Sequence, residues 1–316
     1  SAEYLLTFYP DARTSAMAGA ATALSGSASS VYYNPAGVAS NFYDELSFFY
    51  TPLFYGTKFT YMSYSHCLAP GETIAGSIGI LSTGDIEKTN SLGETLYDFS
   101  SRESVFNLTY AVNMGVSTDG GINIKFLSQS IDDFSANGIS FDLGLAAKKD
   151  DTKYGFTVKN IIPLKFGNDK LPVSLRLGIA QRIYENLFLS SDVAFDDLSV
   201  KSVSRWFFGS EYNYKIYFLR AGINYKEMTC GAGVKDEKFS IDYAVSFHTL
   251  DITHRFSIAL RLGVEPTEAE KHAVNLLKEN KEKLEKVVQG IVKEKGKMDD
   301  DKKIFEFEKV KVEKLL

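Results

Sequence analysis

The chain has 316 residues, with 35 basic against 40 acidic side chains. It is long enough to bury a large core, and a charge balance this close to neutral implies no polyanion partner, which sets nucleic acid aside. Charge and aromatic residues are nevertheless segregated: residues 265–316 hold 13 Lys and 13 Asp plus Glu, and only Phe305 and Phe307 of the 42 aromatic residues fall after position 264. Two different solvents are suggested.

No stretch reaches the roughly 18–20 apolar residues of a membrane-spanning helix. A start at Ser1-Ala2-Glu3 without a signal peptide suits a mature chain after cleavage, although a chain trimmed there would look the same. Cys67 and Cys230 have no metal-ligand spacing. One bridge between them is conceivable, and two free thiols are the simpler reading.

In chain order, residues 1–43 come first. The run AMAGAATALSGSASS is followed by Val31-Tyr32-Tyr33-Asn34-Pro35-Ala36-Gly37, which suits neither a strand nor a long helix. From residue 44 onward apolar and polar residues alternate with period two, the pattern of strands whose two faces differ chemically. Fourteen strands are predicted, at 44–50, 57–66, 73–82, 103–116, 121–131, 138–148, 153–160, 172–183, 187–195, 203–213, 216–225, 229–235, 238–247 and 254–264. Asp142, Arg176, Arg220, Asn224, Asp242 and Arg261 fall on their polar faces. Short connections rich in turn formers (CLAPGE, STDG, KDDT, YEN, YK, DE) alternate with longer ones (TGDIEKTNSLGETLYDFSS, DDFSAN, IIPLKFGNDKL, DDLSVKS, KEMT, HTLDIT). One end is therefore trimmed and the other carries loops, as in an outer-membrane barrel with periplasmic turns.

A soluble sandwich or barrel would turn the apolar faces inward. Polar faces full of Gly, Ser, Asn and Arg, and Tyr and Phe clustered at strand ends in YEN-LFLSS, YNYKIYFL and SFFYTPLFYG, argue instead for an all-β membrane protein. The expected fold is a 14-stranded antiparallel transmembrane β-barrel over 44–264, its polar side chains luminal. After it, Thr267 and Glu270 form a capping box, and Ala269, Ala273, Leu276, Leu277, Leu284, Val287, Val288, Ile291 and Val292 mark an amphipathic helix. IFEFEKVKVEK (304–314) then alternates like a strand. This 265–316 extension is expected in the periplasm, with 266–295 available to a secretion-system or periplasmic protein.

Chemistry is not expected. His66, His248, His254 and His272 sit in no metal-ligand or triad pattern, and the pairs Asp132-Asp133 and Asp196-Asp197 fall in connections, where Asp favours turns. Neither an enzyme activity nor a cofactor is predicted.

The stretch Ala12-Arg13-Thr14-Ser15-Ala16-Met17-Ala18-Gly19-Ala20, followed by Tyr33-Asn34-Pro35-Ala36-Gly37-Val38-Ala39, resembles the opening of the FadL-like superfamily of fourteen-stranded outer-membrane barrels. It is especially similar to the PorV/PorQ branch, as are Val158-Lys159-Asn160-Ile161 and Leu171-Pro172-Val173-Ser174-Leu175-Arg176-Leu177-Gly178. Ala18 stands where the family commonly has a second glycine. The resemblance implies that residues 1–43 fold into the lumen as a hatch. Asn34, Pro35 and Ala36 would form its constriction, with Gly37, Gly19 and Arg13 from the same motifs; a plug that only keeps the lumen dry is the plainer alternative. It also implies a place in the outer membrane, among its lipid; the trimmed end and the even strand number put both termini on the periplasmic side. Uptake of a hydrophobic small molecule through the hatch is the first functional expectation. A type IX secretion component that binds cargo at the cell surface is the second, and a structural envelope protein tethered through its tail the third.

Overall fold

The computed structural model of the protein describes residues 8–263 except 116, 163–164, 167–168, 197–202 and 249–251, and beyond them only Lys283. The readings of 265–316 as helix and strand lie outside the described residues. The strands are β1 (Asp44–Pro52), β2 (Thr57–Ala69), β3 (Glu72–Thr89), β4 (Thr95–Gly115), β5 (Thr118–Ile131), β6 (Phe134–Lys149), β7 (Thr152–Lys159), β8 (Lys165–Phe166), β9 (Asp169–Lys170), β10 (Ser174–Tyr184), β11 (Leu187–Asp196), β12 (Val203–Tyr214), β13 (Tyr217–Asn224), β14 (Met228–Lys235), β15 (Phe239–Phe247) and β16 (Ile252–Leu262). All but β8 and β9 close into one antiparallel barrel of fourteen strands, in which each pairs with its sequence neighbours and β1 returns to β16. The seam is a continuous ladder from Asp44↔Leu262 to Tyr50↔Phe256. Closure leaves the barrel without an unpaired edge.

Alternation sorts the side chains as the period-two pattern requires. In β1, Glu45, Ser47, Phe49 and Thr51 turn inward and are buried, while Leu46, Phe48 and Tyr50 face out. The outer wall elsewhere carries exposed Leu, Ile and Phe such as Leu108, Leu143, Leu177, Phe208 and Ile258. Tyr64, Tyr110, Tyr154, Tyr184, Tyr212 and Tyr217 are exposed toward one end of it. That end has turns of two residues at 70–71, 150–151, 185–186 and 215–216, and it is where β1 begins and β16 ends.

Two connections differ from the sequence reading. The stretch 83–101 is not a loop: β3 and β4 run on through it for 18 and 21 residues and turn only at 90–94. Ile86 pairs with Phe99 and Lys88 with Tyr97, and Asn90 Oδ1 closes the tip by accepting from the amides of Leu92 and Glu94 at 2.9 and 3.0 Å. Likewise DDFSAN shrinks to a two-residue turn, because β6 starts at Phe134 and Asp132 adopts φ 51. Asp tolerates that left-handed backbone better than most residues. Within IIPLKFGNDKL the short hairpin β8–β9 forms its own two-stranded sheet. Cys67 and Cys230 are both free.

Candidate functional site

Residues 8–41 pack inside the barrel. The segment has little regular structure: a five-residue helix α1 (Ala12–Ala16), capped by Asp11, and two short 3-10 helices at Ala28–Tyr32 and Pro35–Val38. Asn34 caps the second of these and Pro35 occupies its first turn, where a missing N–H costs nothing. A chain so poor in internal ladders leaves many backbone carbonyls without partners, and burial makes each of them expensive.

The polar inner faces of the strands supply those partners. Thr229 Oγ1 donates to Ala16 O at 2.8 Å, Asn224 Nδ2 to Ala18 O at 2.9 Å and Ser190 Oγ to Ala20 O at 2.9 Å. Farther round, Asn123 Nδ2 donates to Val31 O at 2.7 Å and Lys159 Nζ to Tyr32 O at 2.6 Å. Arg176 reaches Gly19 O as well. The segment is therefore held to the wall by its backbone, at intervals, around much of the circumference.

Close approach requires the wall to lack side chains, and it does. Three cross-strand pairs of glycines, Gly209 with Gly222, Gly155 with Gly178 and Gly121 with Gly144, lie beneath the segment. A methyl group at Gly155 would stand 2.1 Å from Thr22 O, one at Gly222 2.4 Å from Met17 C, and one at Gly144 2.1 Å from Asn34 Oδ1. These glycines form a track on which the segment rests.

Ion pairs fix it at two further points. Asp192 accepts from the amides of Ala21 and Thr22 at 3.0 and 2.9 Å and from Thr22 Oγ1 at 2.7 Å, while Arg176 pairs with the same carboxylate at 2.9 Å. On α1, Arg13 grips Glu211 through Nε and Nη2 at 2.7 and 2.8 Å. Glu211 also accepts from Arg220 at 2.6 Å, and Arg220 continues to Asp242 at 2.6 Å. Beside this chain, burial pushes the Asp11 carboxyl up, opposed by the Arg13 charge and by hydrogen bonds from Arg13 N and Ser29 Oγ.

Each residue singled out from the sequence can now be placed. Arg13, Arg220 and Asp242 meet in one network; Arg176 and Asn224 hold neighbouring carbonyls of the segment. Asp142 pairs with Lys125 at 2.7 Å and accepts from the Asn160 amide at 2.9 Å, on the opposite wall. Arg261 lies near the turn end, in one cavity with Arg13, Arg220 and Asp242, 3.4 Å from Glu45 and donating to Asp236 O at 2.6 Å. Asn34 donates to Thr22 O and Leu145 O at 3.0 and 2.9 Å, so Asn34, Pro35 and Ala36 lie flat against β5 and β6. Gly37 packs under Ser30, and Gly19, at φ 85, lies under the Tyr9 ring. Asp192, Glu211 and the paired glycines were missed. Their signal was an acid or a glycine at an inward position on consecutive strands.

Toward the loop-bearing end, the start of this segment and the wall meet in aromatic clusters. Phe49, Phe59 and Phe8 follow one another at centroid distances of 5.9 and 5.0 Å, and Tyr9, Phe207 and Tyr225 at 6.4 and 5.9 Å. Phe8, Tyr9, Tyr32 and Phe207 line one part of a cavity of about 70 Å³, and polar and charged side chains, among them Asn107, Asn123, Asn160, Arg176, Arg205, Lys159 and the Lys125–Asp142 pair, line most of the rest. A water needs on the order of 10–15 Å³ of such space, so the cavity admits a few waters at most.

Comparison with solved structures finds the same barrel. The fold is similar to the deltaS2S3 mutant of the TodX monoaromatic hydrocarbon channel, at 14% identity over 79% of this chain and 98% of that one, with a TM-score of 0.64. It is similar to the Pseudomonas putida toluene transporter TodX, at 15% identity, 78% and 95% coverage and a TM-score of 0.60. A Pseudomonas aeruginosa FadL homologue follows, at 10% identity, 79% and 97% coverage and a TM-score of 0.58. No family model matches the sequence, and no curated protein does. At these identities the likeness is one of fold.

Proposed function

We propose that this chain is a FadL-type barrel of the outer membrane that passes small hydrophobic molecules through its lumen, with residues 8–41 as the hatch. The aromatic clusters Phe49–Phe59–Phe8 and Tyr9–Phe207–Tyr225, with Phe8, Tyr9 and Phe207 on the cavity, carry this reading, because Phe and Tyr rings offer an apolar molecule contacts that a wholly polar pore would not. The outward Leu, Ile and Phe belt and the ring of exposed tyrosines support the membrane setting. The neighbours TodX and the FadL homologue, described as a hydrocarbon channel, a toluene transporter and a FadL relative, support the same class of cargo.

A cavity of about 70 Å³ is small for a hydrocarbon, so on this reading passage requires the hatch or its aromatic neighbours to shift. The reading as a type IX secretion component rests on the PorV/PorQ-like motifs alone and draws no support from these neighbours. Uptake decides the matter. Cells carrying the barrel should accumulate a radiolabelled monoaromatic hydrocarbon faster than cells without it, with glucose entry unchanged. Equal hydrocarbon uptake in both would remove the proposal.

A further inference from the structure

Outside the lumen, the wall is notched between β6 and β14. Many outward positions carry Leu, Ile or Phe, but here Ala147, Ser191, Ser210 and Ala221 are small. There the surface sinks into two adjoining recesses of about 500 and 590 Å³ that share Ile179 and Ser191. The first is bounded by Leu145, Phe156, Leu177 and Val193, which face one another along a single cross-strand row. Its other side, toward the short turns, is closed by Tyr154, exposed among the ring of tyrosines.

One row beyond Tyr154 the chemistry changes. Lys149, Thr152 and Gln181 pair in register across β6, β7 and β10 and all point outward, which lines up an ammonium, a hydroxyl and an amide just past the aromatic ring. Lys149 is exposed and makes no ion pair among the described residues. The nearest carboxylates of that turn are Asp150 and Asp151, and Asp151 is taken by Arg182 at 3.7 Å. An apolar recess ending at a row of donors, at the height of the interfacial tyrosines, matches an amphiphile with an anionic head.

We propose that this face is a binding site for an anionic phospholipid of the leaflet at the short-turn end. One acyl chain lies in the recess over Ser191, and the phosphate rests on Lys149, Thr152 and Gln181. Small residues replace the bulky belt there so that the chain sinks below the general surface and makes contacts on three sides. The hydroxyl of Ser210, out of place on a hydrocarbon-facing wall, is satisfied by the wall itself, since Ser210 Oγ donates to Ala221 O at 3.2 Å. The site rests on the membrane reading given above.

Trp206, the chain's one tryptophan, faces outward directly across from Val193 of the recess and reports on its occupant. In vesicles of phosphatidylcholine containing a minor fraction of chain-brominated lipid, brominated phosphatidylglycerol should quench Trp206 with an apparent affinity about fivefold above that of brominated phosphatidylcholine. Lys149→Gln should bring the two to parity while leaving the fold intact, because Lys149 is exposed. Equal quenching by both lipids in the unaltered protein overturns the site and leaves the membrane reading standing, whereas no quenching by either overturns the membrane reading. A preference that survives Lys149→Gln overturns the headgroup assignment.

Discussion

At Gly155 and Gly178 the absence of a side chain is what brings the hatch to the wall, since an added methyl at Gly155 meets Thr22 O at 2.1 Å and Thr22 C at 2.4 Å. Backbone atoms cannot swing aside as a side-chain tip can. Gly155→Val should therefore lift the hatch locally, costing about 1–3 kcal/mol as overpacking does and raising conductance in planar bilayers. Gly84→Val, where nothing lies within 4 Å, should change neither quantity. If both variants behave alike, the glycine track has no role in seating the hatch. Asp192 makes a second test, because it gathers two hatch amides, the Thr22 hydroxyl and Arg176 on one carboxylate. Asp192→Ala leaves the buried guanidinium without its partner and should cost about 3–5 kcal/mol in thermal or denaturant unfolding. Asp192 and Glu211 also mark a limit on what alternation can reveal. It shows that an inward acid exists, but which basic group it meets depends on how the hatch is threaded, and that is not periodic.

At the level of elements, the fourteen barrel strands were legible because each has one face against a polar lumen and the other against an apolar exterior. Where that contrast ends, so does the signal. The hairpin formed by the far ends of β3 and β4 stands with Glu87, Leu92, Leu96, Tyr97 and Asp98 exposed, so no alternation of polarity announces it, and its composition reads as loop. The luminal course of residues 8–41 could not be read from periodicity, since a run of Ala, Gly and Ser carries no period that says where it turns. What steadies the hairpin is visible only in three dimensions: Lys88 binds Asp132 of the β5–β6 turn and the Tyr97 hydroxyl at once. The hydrogen bond from Lys88 holds the Asp132 carboxyl below its ordinary value. A depressed carboxylate contributes at pH values above its unfolded-state titration and loses the contribution as pH falls through the lower, folded value. Acidification below about pH 3.8 should thus raise amide exchange over Leu96–Ser100 once corrected for intrinsic rates. Lys88→Met should do so at neutral pH and speed chymotryptic cleavage there. Unaltered exchange in Lys88→Met would show the hairpin to be held by its ladder alone.

For the whole molecule, barrel and hatch differ in what they need from each other. The barrel closes through its own ladder, from Asp44 against Leu262 onward, and no described residue before 44 takes part in that seam. Residues 8–41 depend on the wall for their carbonyl partners, their ion pairs and their glycine track. Removing residues 1–43 takes the Gly19 carbonyl from Arg176 and Arg13 from Glu211, which keep Asp192 and Arg220 on the wall, and it opens the lumen to water, which solvates the exposed charges and carbonyl-binding side chains. The barrel should therefore survive the deletion as a folded, detergent-requiring protein that migrates differently on gels before and after boiling. Fourteen strands enclose a lumen between the filled interior of eight-stranded barrels and the aqueous channel of sixteen-stranded porins, so its emptied form should conduct. Stepwise conductance in planar bilayers, absent from the full chain and present after deletion, is the expected result. A deletion that keeps the heat-modifiable shift yet stays closed would mean that the loops of the far end seal the pore and that residues 8–41 only fill it. Loss of the shift would instead assign the hatch a part in folding, and Gly155→Val, which keeps every residue of the hatch in place, would then carry the test of gating.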